Sequence, residues 1–151
     1  MATRCNIGMV NADGSITGIY CHYDGYPAGV GKTLLNHYNN FVIVADLMDL
    51  GDLSVLGEKM DSEDDNHSFK SPAPGVTVAY GRDRGEKNVD GIIYEDRGGY
   101  EDSMDNYGTD YQYLFSDDKW LYRDCKCDWS LLTSQVCENF NYCNSRSNNI
   151  V

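Results

Sequence analysis

The chain has 151 residues, 24 of them acidic and 12 basic, for a formal charge of −12, with 41% hydrophobic residues, 12 Tyr and 4 Phe. That length predicts a single domain spanning 1–151 that can bury roughly 70% of its unfolded surface. So negative a surface repels nucleic-acid phosphates and anionic lipid, which excludes direct nucleic-acid and membrane binding and favours a basic protein partner.

The charge is uneven: residues 1–60 carry 6 acids and 3 bases, residues 61–151 carry 18 and 9. Acids concentrate in Asp61-Ser62-Glu63-Asp64-Asp65 and between Glu95 and Asp118, where Arg97 is the single base. After Met1 the chain passes directly to Arg4, Cys5 and Asn6 without an apolar leader, and no run approaches the ~20 apolar residues of a membrane span. A cytosolic location follows, with the six cysteines reduced rather than paired.

In chain order, Arg4–Val10 and Ile16–Tyr23 flank Asn11-Ala12-Asp13-Gly14-Ser15 and predict a β-hairpin with Gly14 at positive φ. Both faces of the second strand carry apolar bulk, Thr17, Ile19, Cys21 and Tyr23 on one and Ile16, Tyr20 and His22 on the other. Asp24-Gly25-Tyr26-Pro27 predicts a rigid turn with Gly25 at positive φ. A small-residue loop, Ala28–Gly31, then feeds a helix over Lys32–Tyr38. Asn39-Asn40 breaks that helix, and Val42–Leu50 forms the next, closed by Gly51. Asp52 is read as the N-cap of a short turn, Leu53–Leu56.

Residues 58–71 read as an acidic loop, Val76–Tyr80 and Gly91–Glu95 as short strands, and 96–110 as a second acidic loop. Tyr111–Phe115 and Trp120–Arg123, split by Ser116-Asp117-Asp118-Lys119, give the clearest hairpin, with an exposed strand edge. Ser130 caps a helix over Leu131–Tyr142, and the tail 144–151 frays. Hairpins interspersed with helices, without βαβ alternation, predict an α+β fold: an antiparallel sheet with helices packed on one face.

No catalytic constellation closes. Gly29-Val30-Gly31-Lys32-Thr33 suggests a phosphate loop, but the glycine that motif needs five residues before Gly31 is Tyr26, and Pro27 removes a donor. Cys125, Cys127, Cys137 and Cys143 lack the paired spacing of zinc sites. Asp61–Asp65 lacks the glycine and the bidentate acid of a calcium loop. Cys21 and His22 are adjacent on a strand and point to opposite faces, so the imidazole is poorly placed to take the thiol proton. No metal and no cofactor is therefore assigned.

Two sets of residues carry the function classes that survive. Tyr100 and Tyr107 beside Asp102, Asp105 and Asp110 would form a protein-binding acidic surface, tyrosines adding contact area at low entropic cost. Leu114, Phe115, Trp120 and Leu121 are read as core. The alternative is a small-ligand site: Tyr20, His22, Asp24, Tyr26 and Lys32 around the glycine loop, with Arg82 or Arg84 for a phosphate. Against that, Arg82 and Arg84 have Asp83, Glu86 and the acidic loops as near partners.

Tyr20-Cys21-His22-Tyr23-Asp24-Gly25-Tyr26-Pro27, with Gly31-Lys32 and Leu34-Leu35 before Tyr38, resembles a family of small uncharacterised proteins encoded by tailed bacteriophages. The likeness continues through Leu50-Gly51-Asp52-Leu53-Ser54, Val76–Glu86 and the aromatic hairpin Tyr111–Tyr122. It carries over no activity. It implies phage origin, action in the host cytoplasm and an accessory role in managing the host. The −12 charge, the dense carboxylates of 95–118 and the lack of a catalytic set make the expected role non-enzymatic: binding and inhibiting a host defence or nucleic-acid-handling protein through the acidic surface. For the alternative site the corresponding role is sequestering a nucleotide signal of host defence.

Overall fold

The computed structural model describes residues 2–124 and 128–138. Its strands are β1 (Cys5–Val10), β2 (Ile16–Cys21), β3 (Leu53–Val55), β4 (Val78–Ala79), β5 (Ile92–Tyr94), β6 (Tyr111–Ser116), β7 (Lys119–Asp124) and β8 (Ser130–Leu131). The helices are α1 (Lys32–His37), α2 (Phe41–Asp49), α3 (Tyr80–Arg84) and α4 (Arg97–Tyr107), with a π-helical turn over Pro27–Gly31. The class is α+β, as the sequence predicts.

All eight strands form one sheet, ordered β4-β3-β2-β1-β6-β7-β8, with β5 also on β2. It is mostly antiparallel, but β1 pairs with β6, and β2 with β3, in parallel. Parallel pairing needs long crossovers, and α1 with α2 supplies one of them, between β2 and β3. The outer edge of β2 is divided. Its first half pairs with β5 from Ile16 to Gly18, and its end meets β3 at Cys21. Between the two, the Tyr20 amide donates to Asp52 Oδ1 at 2.9 Å. Asp52 thus caps a gap in the sheet rather than a helical turn, and the residues after it form β3.

Helices cover both faces rather than one. On one face Cys5, Ile7, Met9, Ile19, Cys21, Tyr113 and Phe115 pack against Val30, Leu34 and Tyr38, and against Val44, Leu47 and Met48 of α2. On the other, Ile16 and Leu114 pack against Tyr100 of α4. Gly8 and Gly18 face each other across β1 and β2. A Cβ on either would lie within 2.7 Å and 2.9 Å, respectively, of the Tyr100 ring, so the glycine pair is the seat of that ring. Tyr100 is fully buried and its hydroxyl donates to the Tyr113 carbonyl at 2.7 Å.

The expected loop over 96–110 is therefore mostly a helix, Arg97–Tyr107. Asp96 accepts from the Gly99 amide at 2.8 Å as N-cap, and Gly108 closes the helix at φ +64. Tyr100, Met104 and Tyr107 recur at i, i+4 and i+7, with Ser103 buried beside them. Gly98 and Gly99, poor helix formers, mask that period in the sequence.

The Asp24–Pro27 turn also differs from expectation. Asp24 holds the positive φ (+58), while Gly25 is needed for space. A Cβ there would come within 2.9 Å of the Arg4 and Thr3 backbone, and the Gly25 amide donates to the Thr3 carbonyl at 2.8 Å. The 111–123 hairpin is as predicted, with Leu114, Phe115 and Trp120 buried. Its strands are not at an edge, because β6 also pairs with β1 and β7 with β8. Ser130 belongs to β8. The helical turn that follows covers 134–138 among the described residues, and Thr133 Oγ1 accepts from the Val136 amide at 3.2 Å. The rest of the expected C-terminal helix, the tail 144–151 and Cys125, Cys127 and Cys143 lie outside the described residues. Among the described residues no helix is long and apolar enough to cross a membrane.

Candidate protein-binding surface

Burying Tyr100, Ser103 and Met104 against the sheet turns the other side of α4 outward. Asp102 and Asp105 are exposed there, and Glu101 is half-buried, accepting from Trp129 Nε1 at 2.6 Å. Among the described residues no hydrogen bond or ion pair engages the Asp102 or Asp105 carboxylate. Asp105 stands in the last helical turn, where the free carbonyls make the negative end of the helix. Asp110 differs: its Oδ2 accepts from the Arg4 amide at 3.3 Å, and its own amide donates to the Arg4 carbonyl at 2.8 Å. It ties the start of β6 to the N-terminal segment.

Of the two tyrosines expected at this surface, Tyr100 is core. Tyr107 is half-buried and stacks on Tyr20, ring centroids 5.9 Å apart at 24°. Burial and the neighbouring Tyr94 push its hydroxyl above the usual phenol range. Directly before α4, joined by Glu95 and Asp96, lies β5. Among the described residues nothing pairs with its outer edge. Ile92 is 43% and Ile93 70% exposed, unusual for isoleucine in a strand. Sequence reasoning missed these two; their signal was an apolar pair between Asp90 and Glu95, in a strand too short to cover both sides.

The ligand-site residues are dispersed. Tyr20 Oη and His22 Nδ1 lie 2.7 Å apart, and Tyr26 Oη donates to Asp24 Oδ1 at 3.4 Å. Lys32 lines a separate hollow with Leu35, Asn36 and Glu138. Donors a phosphate would need at the glycine loop are used internally: the Gly29 amide donates to the Tyr26 carbonyl at 2.9 Å and the Val30 amide to the Asp24 carbonyl at 2.8 Å. Arg82 is consumed by Asp83 (3.0 Å), Asp61 (2.8 Å) and the carbonyls of Met60 and Thr77 (both 2.9 Å). Arg84 lies 3.7 Å from Glu86 and faces a different groove. Near Tyr20, burial raises the Asp52 carboxyl to about 6, with Asp90 adding to the shift and the Tyr20 amide opposing it.

Among the described residues the three cysteines are buried free thiols. Cys5 and Cys21 face each other across the hairpin, fully buried and not bonded, and burial pushes the Cys5 thiol well up. Cys137 is buried too. Comparison with protein-family models, with curated proteins and with solved structures finds no match to this chain.

Proposed function

We propose that this chain is a phage-encoded accessory protein that binds and inhibits a host protein with a basic surface, without catalysing a reaction. The observation that carries the reading is the outer face of α4, where Asp102 and Asp105 stand without a cation among the described residues, beside the open β5 edge with Ile92 and Ile93. An apolar centre rimmed by charge is the usual make-up of a protein contact surface. Carboxylates spaced along a helix can occupy a channel that otherwise holds phosphates, so a nucleic-acid-handling or defence protein of the host cytoplasm is the partner class proposed. The motif resemblance around Tyr20–Pro27 supports the phage setting.

Asp102→Asn with Asp105→Asn tests the reading without touching Asp110, whose bonds are structural. Capture of host proteins at low salt should yield a partner whose binding falls steeply as salt rises, since screening shortens to ~3 Å at 1 M. The double variant should melt like the parent and lose that partner by about tenfold or more. Capture that is indifferent to both salt and the double change would overturn the proposal.

A further inference from the structure

Around α3 the chain has built a groove whose acid is neutralised from behind and whose bases face out. Asp83, with 5% of its side chain exposed, takes Arg82 through both oxygens, Nε to Oδ1 at 3.0 Å and Nη2 to Oδ2 at 3.1 Å, and also accepts from the Ala79 amide at 2.7 Å. His67, 7% exposed, lies behind it. Its Nδ1 accepts from the Ala73 amide at 2.9 Å, which puts the proton on Nε2, 3.4 Å from Asp83 Oδ2 and without a hydrogen-bond partner. These contacts hold the 66–73 loop against α3, helped by the Phe69 amide donating to the Asp83 carbonyl at 3.3 Å.

The outer side is a cavity of about 390 Å³ lined by Ser68, Phe69, Lys70, Asp83 and Arg84. The Arg84 guanidinium lies 4.8 Å from the Phe69 ring centre, and that ring packs on Tyr80 at 5.7 Å. Ser68 Oγ accepts from the Ser71 amide at 3.1 Å, leaving its proton to donate outward. Two of the chain's 12 basic side chains thus converge on one hydroxyl and one aromatic wall. With Arg82 paired to both its oxygens, the Asp83 charge does little to repel an anion.

We propose that this groove binds a small anion carried on a flat ring, with a nucleoside monophosphate as its representative chemistry. Lys70, Arg84 and Ser68 take the phosphate, a guanidinium being suited to paired hydrogen bonds with its oxygens. Phe69 and the alkyl stems of Lys70 and Arg84 take the ring. The volume is near the low end of the ~300–1,000 Å³ of ligand pockets, which fits one nucleotide and not a strand. The site is separate from the α4 surface and stands or falls independently of it. Of the basic residues considered for phosphate, it keeps Arg84 and excludes Arg82.

The test is a titration with AMP at low salt, followed by amide chemical shifts, with adenosine and inorganic phosphate as controls lacking the charge and the ring. Saturable shifts confined to 68–70 and 83–84 are expected, with a Kd on the order of 0.1–1 mM. Each control should bind about tenfold more weakly. Arg84→Gln, at a half-exposed side chain, should melt like the parent and weaken AMP binding by about tenfold. Glu86→Gln should tighten it, because Glu86 competes for Arg84 from 3.7 Å. No saturation by about 10 mM, or an Arg84→Gln variant that binds like the parent, would overturn the proposal. Phosphate binding as well as AMP would overturn its ring component.

Discussion

Asp52 sets the most distinctive pH dependence expected of this protein, because it fills the break in the β2 edge from a half-buried position. Its folded pKa of about 6 lies above the usual 3.8, so the folded state holds the proton more tightly than the unfolded chain. The stability this gives is complete below pH ~4 and is lost as the pH rises toward 6. Asp52→Asn keeps an acceptor for the Tyr20 amide and removes the titration. Denaturant unfolding at pH 4, 5, 6 and 7 should show the variant gaining on the parent across that window, ending about 1 kcal/mol more stable. A parent–variant difference that stays flat with pH would assign the effect elsewhere. Gly25 and Gly8 make a second prediction by space alone. Gly25→Val drives a side chain into the Arg4 and Thr3 backbone, and Gly8→Ala displaces the Tyr100 ring. Each should cost ~1–3 kcal/mol in chemical denaturation, as overpacking does. A variant of either kind as stable as the parent would contradict the close approach.

At the scale of elements, α4 combines good ends with a poorly matched charge. Asp96 at its start suits the positive end of the helix, whereas Asp105 in the last turn opposes the negative end. Asp105→Asn should therefore stabilise the free protein by about 0.3–0.5 kcal/mol while weakening partner capture. A gain in stability with binding unchanged would make Asp105 a solubilising residue only. The Asp117-Asp118 loop of the second hairpin shows a similar departure from ease. Both residues hold positive φ, +53 and +62, in a two-residue turn that usually carries Asn-Gly. Asp118→Gly should stabilise the hairpin by about 1 kcal/mol in thermal unfolding, since glycine reaches that conformation without strain. No gain would mean that local hydrogen bonding already offsets it.

For the whole molecule, the −12 charge acts against compactness. Adding salt should raise the melting temperature of the free protein even as it weakens the proposed complex, and a fall in melting temperature from 10 to 500 mM NaCl would contradict the self-repulsion. Local chemistry along the chain is enough for the two hairpins, the Gly14 turn, the Asn39-Asn40 break, the helix closed by Gly51 and the α+β class. Each rests on side-chain alternation or on residues whose backbone preferences act within four positions. It also put Leu114, Phe115 and Trp120 in the core on apolar bulk; the adjacent Leu114 and Phe115 point to opposite faces, and both are buried because helices cover both. The remaining features depend on partners distant in sequence. Tyr100 is core because Gly8 and Gly18, far away in the sequence, leave a notch for its ring, and burying Tyr100 sends Asp102 and Asp105 outward. Arg82 is spent on Asp61 and Asp83 while Arg84 is left facing a groove, a division the Gly81–Gly85 spacing cannot express. Asp52 leaves the helix-cap role its neighbours suggest because the split edge of β2 exposes the Tyr20 amide, and an unpaired buried amide costs more than a local cap provides.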